Sequence, residues 1–332
     1  MQNNRPLLIV LTPVRNEAWV LPAFLKAASL WADHIIVADQ MSTDGSRDIY
    51  TQYEKVTVID NPQLVMHQAK TRQLLFEAAH QIKGDKILFA LDADEFLSGD
   101  FMKTDSWKKI INSEKGDVFS FSWINLLPNK VQYSKTKPLY WAAHFSEDDL
   151  INGIFKDNHI HEWRLPWPKN VNHEYIIDDI SFIHFANLNI KRQENKGIFY
   201  QVSTAYMEKK YSGIKLYRQY YPSISLIQDN VQNVPLNLYS FYESKNLNLF
   251  DNIDLNDVGQ HYVDVVISHL STKKLRHFAK LNIWESDIVK NNILQNPQNL
   301  LDKLIMNYLK STRKYDKLPV VRMVDFILKK LY

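Results

Sequence analysis

The 332-residue sequence has no cysteine. Disulfides, thiolate nucleophiles and cysteine-bound zinc are thereby excluded. Any metal must be held by Asp, Glu, His, carbonyl or water ligands. Glycine is also scarce, with 8 residues in the whole chain. The first apolar segment is followed by Pro13-Val14-Arg15-Asn16-Glu17, not by the glycine-rich loop that cradles phosphate at a helix N-terminus. That counts against a sugar nucleotidyltransferase. No apolar run approaches the ~20 residues of a membrane span. Met1-Gln2-Asn3-Asn4-Arg5-Pro6 leads into only a short one, Leu7 to Leu11, so no signal peptide is expected. The expected location is cytoplasmic, or at the inner face of a membrane. Net charge is only +3, which argues against a nucleic-acid partner.

What is present is a rhythm of apolar segments. Leu7–Leu11, His34–Ala38, Val56–Ile59 and Lys86–Leu91 read as strands. Between them, Val20–Trp31, Ser46–Tyr53 and Val65–Ile82 have helical spacing. Strands this apolar, separated by helices, predict a parallel sheet covered on both faces, hence a doubly wound α/β fold. Ligands of such sheets bind at the C-terminal strand ends. Polar clusters stand just past three of those ends: Pro13–Glu17, Asp39-Gln40-Met41-Ser42 and Asp92-Ala93-Asp94-Glu95.

After about residue 100 the rhythm changes. Phe101–Ile111 predicts a helix, and Val118–Phe121 and Ile180–Ile183 read as strands among loops broken by Pro128, Pro138, Pro166 and Pro168. Residues 190–332 are mainly helical in pattern. The expected organisation is one domain over 1–189, divided into halves at 1–100 and 101–189, with a helical region over 190–332. The segment from Leu318 to Tyr332 is apolar, with Arg322, Lys329 and Lys330. It predicts an amphipathic helix, either packed on its own domain or lying on a membrane as a peripheral contact. Aromatic residues, at 12%, serve equally for core packing and for stacking on sugars.

Three carboxylates within four positions, Asp92, Asp94 and Glu95, repel one another unless something compensates. Residues i and i+2 of an extended segment point the same way, so Asp92 and Asp94 are expected to face one crevice. There a divalent cation with hard oxygen ligands, Mn²⁺ or Mg²⁺, would offset the repulsion and bridge to phosphates. The plain alternative is a solvated strand exit. A DxD triplet alone is weak; its position beside two other polar strand ends favours the metal reading.

At this point the residues resemble a known family. Asn16-Glu17 after the first strand, and Asp39-Gln40-Met41-Ser42-Thr43-Asp44-Gly45-Ser46 after the second, are similar to the opening of family-2 glycosyltransferases of GT-A fold. The stretch from Ala69 to Leu97, a helix with an arginine followed by a DxD strand, is similar to the same family. The likeness covers about the first hundred residues and implies that 1–189 is a catalytic domain, with a nucleotide-binding half over 1–100 and an acceptor half over 101–189. It implies an inverting transferase of the bacterial surface-glycan type, active in polysaccharide biosynthesis. Such an enzyme moves sugar from a nucleotide-diphosphate donor, most often UDP-linked, to a hydroxyl of a glycan or glycolipid. It implies that Thr12, Pro13, Arg15, Glu17 and Asp39 hold base and ribose, and that Arg72, with Lys70, lies near the nucleotide. Asp92 would face the ribose or metal, and Asp94 the metal. Where many members have a second acidic residue stands Gln40. A looser likeness to surface-glycan relatives offers Glu162, beside His161, as base, and His184 as a further metal ligand; Asp178-Asp179 reads as a solvated turn. Two rivals remain at this stage. One is a haloacid-dehalogenase-like phosphatase using Asp92 and Asp94. The other is a nucleotide-sugar-binding protein without turnover.

Overall fold

The computed structural model describes residues 5–63, 67–153, 155, 163–208, 210–220, 231–292 and 294–332. Two compact units are formed, one from 1–188 with 230–255, the other from 189–229 with 256–332.

Among the described residues, the first unit is built on a ten-stranded sheet. β1 (Leu7–Val14), α1 (Leu21–Ser29), β2 (His34–Asp39), α2 (Ser46–Tyr50), β3 (Val56–Asp60), α3 (Gln68–Gln81) and β4 (Lys86–Ala90) alternate along the chain. Their strands lie side by side in the order β3-β2-β1-β4, all parallel. Alternate residues of one strand enter opposite cores. Val10, Val37 and Phe89 bury on the α1 face; Ile9, Ile36 and Leu88 bury on the α3 face with Leu75 and Phe76. This double burial is why the strands are apolar without alternation. β3 lies at the edge and is half exposed.

The remaining strands make the sheet mixed. β5 (Glu95–Leu97) precedes α4 (Asp105–Ile111), followed by β6 (Val118–Leu126), β7 (Gln132–Lys135), β8 (Leu139–Phe145), α5 (Glu147–Asn152) and β9 (Glu174–His184). β8 runs antiparallel to β4 and to β6, and β9 joins β6 in parallel and β5 in antiparallel pairing. The expected helix over Phe101–Ile111 is divided in two. A short 3₁₀ turn, Phe101–Lys103, ends at Thr104, whose hydroxyl caps α4 by accepting from Trp107 N at 3.0 Å.

In the second unit, α6 (Ile190–Met207) and α7 (Gly213–Tyr220) come first. β10 (Val231–Asn233) and α8 (Ser240–Glu243) then return to the first unit, where β10 pairs with β7 and Phe241 packs on Phe101 at 4.3 Å. The sequence boundary near residue 189 does not anticipate this return. α9 (Gln260–Thr272), α10 (Asp287–Asn291), α11 (Leu300–Ser311) and α12 (Pro319–Leu331) complete the helical unit. Its core joins Ile214 and Tyr217 of α7 to Ile305, Met306 and Leu309 of α11.

Phe89 is fully buried, with the rings of Trp31, Trp107 and Phe121 at 5.1, 6.3 and 6.5 Å. Phe89→Ala removes this hub and leaves a cavity that rigid neighbours cannot close. It is expected to cost about 3–5 kcal/mol, read as a lowered urea midpoint with an unchanged slope.

Candidate active site at the ends of the parallel strands

The loops after β1 and β2 are stitched together by side chains. Asn16 adopts a left-handed backbone, φ 56°. Its N–H donates to Ser42 Oγ at 2.9 Å, and its side-chain oxygen accepts from Thr43 N at 2.7 Å. Glu17 N donates to Ser46 Oγ and Ala18 N to Asp44 Oδ2, at 3.2 and 2.9 Å. Two serines and an aspartate of the second loop thus satisfy backbone groups of the first, and Gly45 supplies a left-handed turn at φ 92°. Asp39 is fully buried. It accepts from Arg47 at 2.7 Å, from the Tyr50 hydroxyl at 3.0 Å and from Ser42 N at 3.2 Å. Burial, reinforced by the Asp39 charge, pushes the Tyr50 hydroxyl far up, so it remains a donor.

Other expected nucleotide contacts are arranged around this frame. Thr12 is fully buried in β1, and its hydroxyl makes no hydrogen bond among the described residues. Pro13 and Arg15 are half-buried. Glu17, also half-buried, accepts from Trp19 Nε1 at 2.6 Å. Gln40 donates to the Gln63 carbonyl at 2.8 Å. Lys70 is exposed in the first turn of α3, while Arg72 is buried, one guanidinium nitrogen 3.8 Å from Asp92.

The carboxylate triplet is not extended. Ala93 and Asp94 form a turn, with Glu95 N donating to the Asp92 carbonyl at 3.1 Å. The two-residue alternation expected of a strand therefore does not set the directions of Asp92 and Asp94. Arg164 does much of it. Its guanidinium meets Glu95 through two bonds of 2.7 Å, reaches Asp92 Oδ2 at 2.8 Å and donates to the Ala90 carbonyl at 3.2 Å. It lies over the rings of Trp141 and Trp123, at 4.9 and 5.4 Å. Glu95 is buried and also accepts from Trp123 Nε1 at 2.8 Å and Asp92 N at 3.0 Å. Burial pushes the Glu95 carboxyl up, and the Arg164 charge pulls against that shift.

Asp94 is close enough for its charge to act on Arg164 and Glu95, and a histidine stands beside it. Its carboxylate is 3.5 Å from His184 Nε2. Register places the histidine: His184 pairs with Glu95 across β5–β9 and with Asn125 across β6–β9. Its Nδ1 lies 2.8 Å from Asn125 Oδ1, and its ring stacks on Trp123 at 4.8 Å. An amide oxygen as the partner of Nδ1 favours the tautomer with its proton there, which would turn the basic nitrogen, Nε2, toward Asp94. Among the described residues, no three His, Asp or Glu side chains converge as a complete metal set. Asp94 and His184 form a pair, while Asp92 turns to two arginines. A carboxylate–imidazole pair suits a cation whose remaining ligands come from phosphate and water. Glu162 and His161 lie outside the described residues. Asp178 and Asp179 are exposed where β9 bulges against β6, between Ile177 and Ser181.

Residues 9–149 match the family model described as Glycosyl transferase family 2. Over this segment the chain is similar to glycosyltransferase family 2. Among solved structures, glucosyl-3-phosphoglycerate synthase from Mycobacterium tuberculosis, in complex with Mn²⁺, UDP and glucosyl-3-phosphoglycerate, aligns at 17% identity. The alignment covers 36% of this chain and 44% of the synthase, with a TM-score of 0.26. S. aureus TarS aligns at 11% identity over 86% of this chain and 88% of that one, with a TM-score of 0.35. The inositol-1-phosphate CTP transferase from T. maritima aligns at 10% identity over 56% and 91%, with a TM-score of 0.33. Comparison with curated proteins gives no match.

The site residue that sequence reasoning missed is Arg164. It lies about seventy positions from its partners, so no local spacing reveals the contact, and in sequence it looks like a surface loop arginine. Arg164→Met leaves Glu95 buried without its counter-charge. A loss of about 3–5 kcal/mol is expected on chemical unfolding. Adding Glu95→Gln removes the charge that was stranded, so the double variant should recover about 1–3 kcal/mol of that loss.

Proposed function

We propose that the domain moves a sugar from a nucleotide-diphosphate donor, UDP-linked as the first expectation, to a hydroxyl of a glycan or glycolipid, with inversion at the anomeric carbon. The family likeness supports the reaction class. The observation that supports the site is the Asp94–His184 pair, 3.5 Å apart, at the strand end where the other two carboxylates of the triplet are already held by Arg164.

The residues divide the work by position. The linked loops carrying Thr12, Pro13, Arg15, Glu17 and Asp39 would receive base and ribose. Asp39 acts mainly by ordering the loop, because Arg47, Tyr50 and Ser42 already engage its oxygens. Arg72 and Lys70 lie on the α3 side, where a diphosphate leaving group would gain charge, and guanidinium suits phosphate. Asp94 and His184 would hold Mn²⁺ or Mg²⁺, which when bound offsets the charge that develops on the diphosphate. Asp92, between Arg72 and Arg164, is placed to orient the ribose side of the donor. Glu162, two positions before Arg164 in the chain, is the proposed base. It would take the proton of the acceptor hydroxyl as that oxygen attacks the anomeric carbon and the bond to diphosphate breaks. The phosphatase alternative needs Asp92 as a free nucleophile, whereas here a guanidinium holds it at 2.8 Å.

Calorimetric titration with UDP, GDP and dTDP, with and without Mn²⁺, tests the donor site. One nucleotide should bind tighter with Mn²⁺, and Asp94→Ala should abolish that metal effect; no binding of any of the three rejects the assignment. For the base, Glu162→Gln should lower transfer by about 10²–10⁴-fold while nucleotide affinity stays near the parent value. A fully active variant removes Glu162 from this role.

A further inference from the structure

Helix α12 has two apolar sides. Its inner side packs Val321, Leu328 and Tyr332 within the helical unit. Its outer side exposes Val320, Met323, Phe326 and Ile327 at 59%, 58%, 59% and 46%. A helix serving only its own core would carry polar residues there. The charges are segregated as well. Asp325, the only acid of α12, is buried and held by Arg218 at 2.9 and 3.1 Å and by the Tyr308 hydroxyl at 3.0 Å. Arg322, Lys329 and Lys330, by contrast, are exposed. α11 repeats the pattern. Asp302 turns inward to Arg276 and the Tyr332 hydroxyl, while Leu300, Leu301, Leu304 and Lys303 are exposed.

We propose that the outer face of α12 docks on an anionic lipid bilayer, lying in the interface with its apolar residues among the acyl chains and its cations at the headgroups. The apolar stripe provides insertion and the exposed cations provide attraction to anionic lipid. Inward pairing of Asp325 removes the one charge that would repel such a surface. Among the described residues, no helix is long and apolar enough to cross a membrane, so contact from these helices would be peripheral. The inference deepens the glycolipid side of the proposed acceptor and rests on that reading for its purpose, but its test does not depend on turnover.

The full chain should co-sediment with phosphatidylcholine vesicles containing phosphatidylglycerol, weakly with phosphatidylcholine alone, and less as salt is raised. Arg322→Gln/Lys329→Gln/Lys330→Gln should weaken anionic-vesicle binding on the order of 100-fold, at about 5-fold per cation. Met323→Gln/Phe326→Gln should weaken it by at least about 10-fold. Both sets replace exposed residues, and an unchanged melting temperature confirms that each variant is folded. Lys329→Gln/Lys330→Gln serves as the milder check. No sedimentation with anionic vesicles, or equal sedimentation of parent and variants, overturns the proposal. So does self-association that Met323→Gln/Phe326→Gln abolishes, in the absence of vesicle binding. Asp94→Ala should sediment like the parent, so a failure of the transfer reading is recorded separately.

Discussion

A single guanidinium organises the site. Asp92, Asp94 and Glu95 stand within four positions, and an uncompensated cluster of that kind would push the turn apart. Arg164 meets two of the three at 2.7–2.8 Å under a cover of two tryptophans. Burying such an arrangement contributes little net stability, because desolvation of the charges offsets most of their attraction. What it contributes is direction. With Glu95 and Asp92 committed to the guanidinium, Asp94 is left facing His184. The sequence puzzle of three repelling carboxylates therefore has two answers, one cation supplied by the protein and, in the proposed reading, another brought by the donor complex.

The same clamp explains how distant segments come to one place. β5 is only three residues long, yet it pairs with the end of β9 and so sets Glu95 opposite His184. β9 then lies against β6, which supplies both Trp123, stacked on the imidazole, and Asn125, bonded to its Nδ1. One ring nitrogen is engaged by an amide and the other is left for a carboxylate neighbour. That polarity follows from strand register, and a shift of one residue would reverse the side chains.

Legibility in the sequence tracks how local the determining interactions are. The β3-β2-β1-β4 half was readable because each strand is a short, continuous apolar run and each connecting helix has its own periodicity. The return of 230–255 was not readable, since Leu238 and Phe241 gain their meaning only from burial against residues such as Phe101. Within the site, Asp39 ends β2 and Asp92 and Asp94 follow the end of β4, the strand ends at which the polar clusters stood in the sequence. Their directions were less legible. The turn at Ala93-Asp94 overrides strand alternation, and Asp39 spends its oxygens on Arg47, Tyr50 and Ser42. Arg164 carried no local signal, and nothing in the sequence marked the serines and aspartate of the second loop as the hydrogen-bond partners of the first.

Helix α12 shows a second limit of pattern reading. Its periodicity announces an amphipathic helix but does not say which apolar stripe is inside, because two exist. The decisive residue is the acid. Asp325 would ordinarily mark the solvent side; here Arg218 and Tyr308 draw it inward, and the apolar residues about half a turn away are left outside. A buried carboxylate needs such partners, so the inward stripe is fixed by a polar contact rather than by hydrophobicity. The outward stripe is then free of that constraint and of negative charge. That combination suits a surface that is apolar beneath and anionic above better than it suits water, and it follows from how one ion pair is oriented.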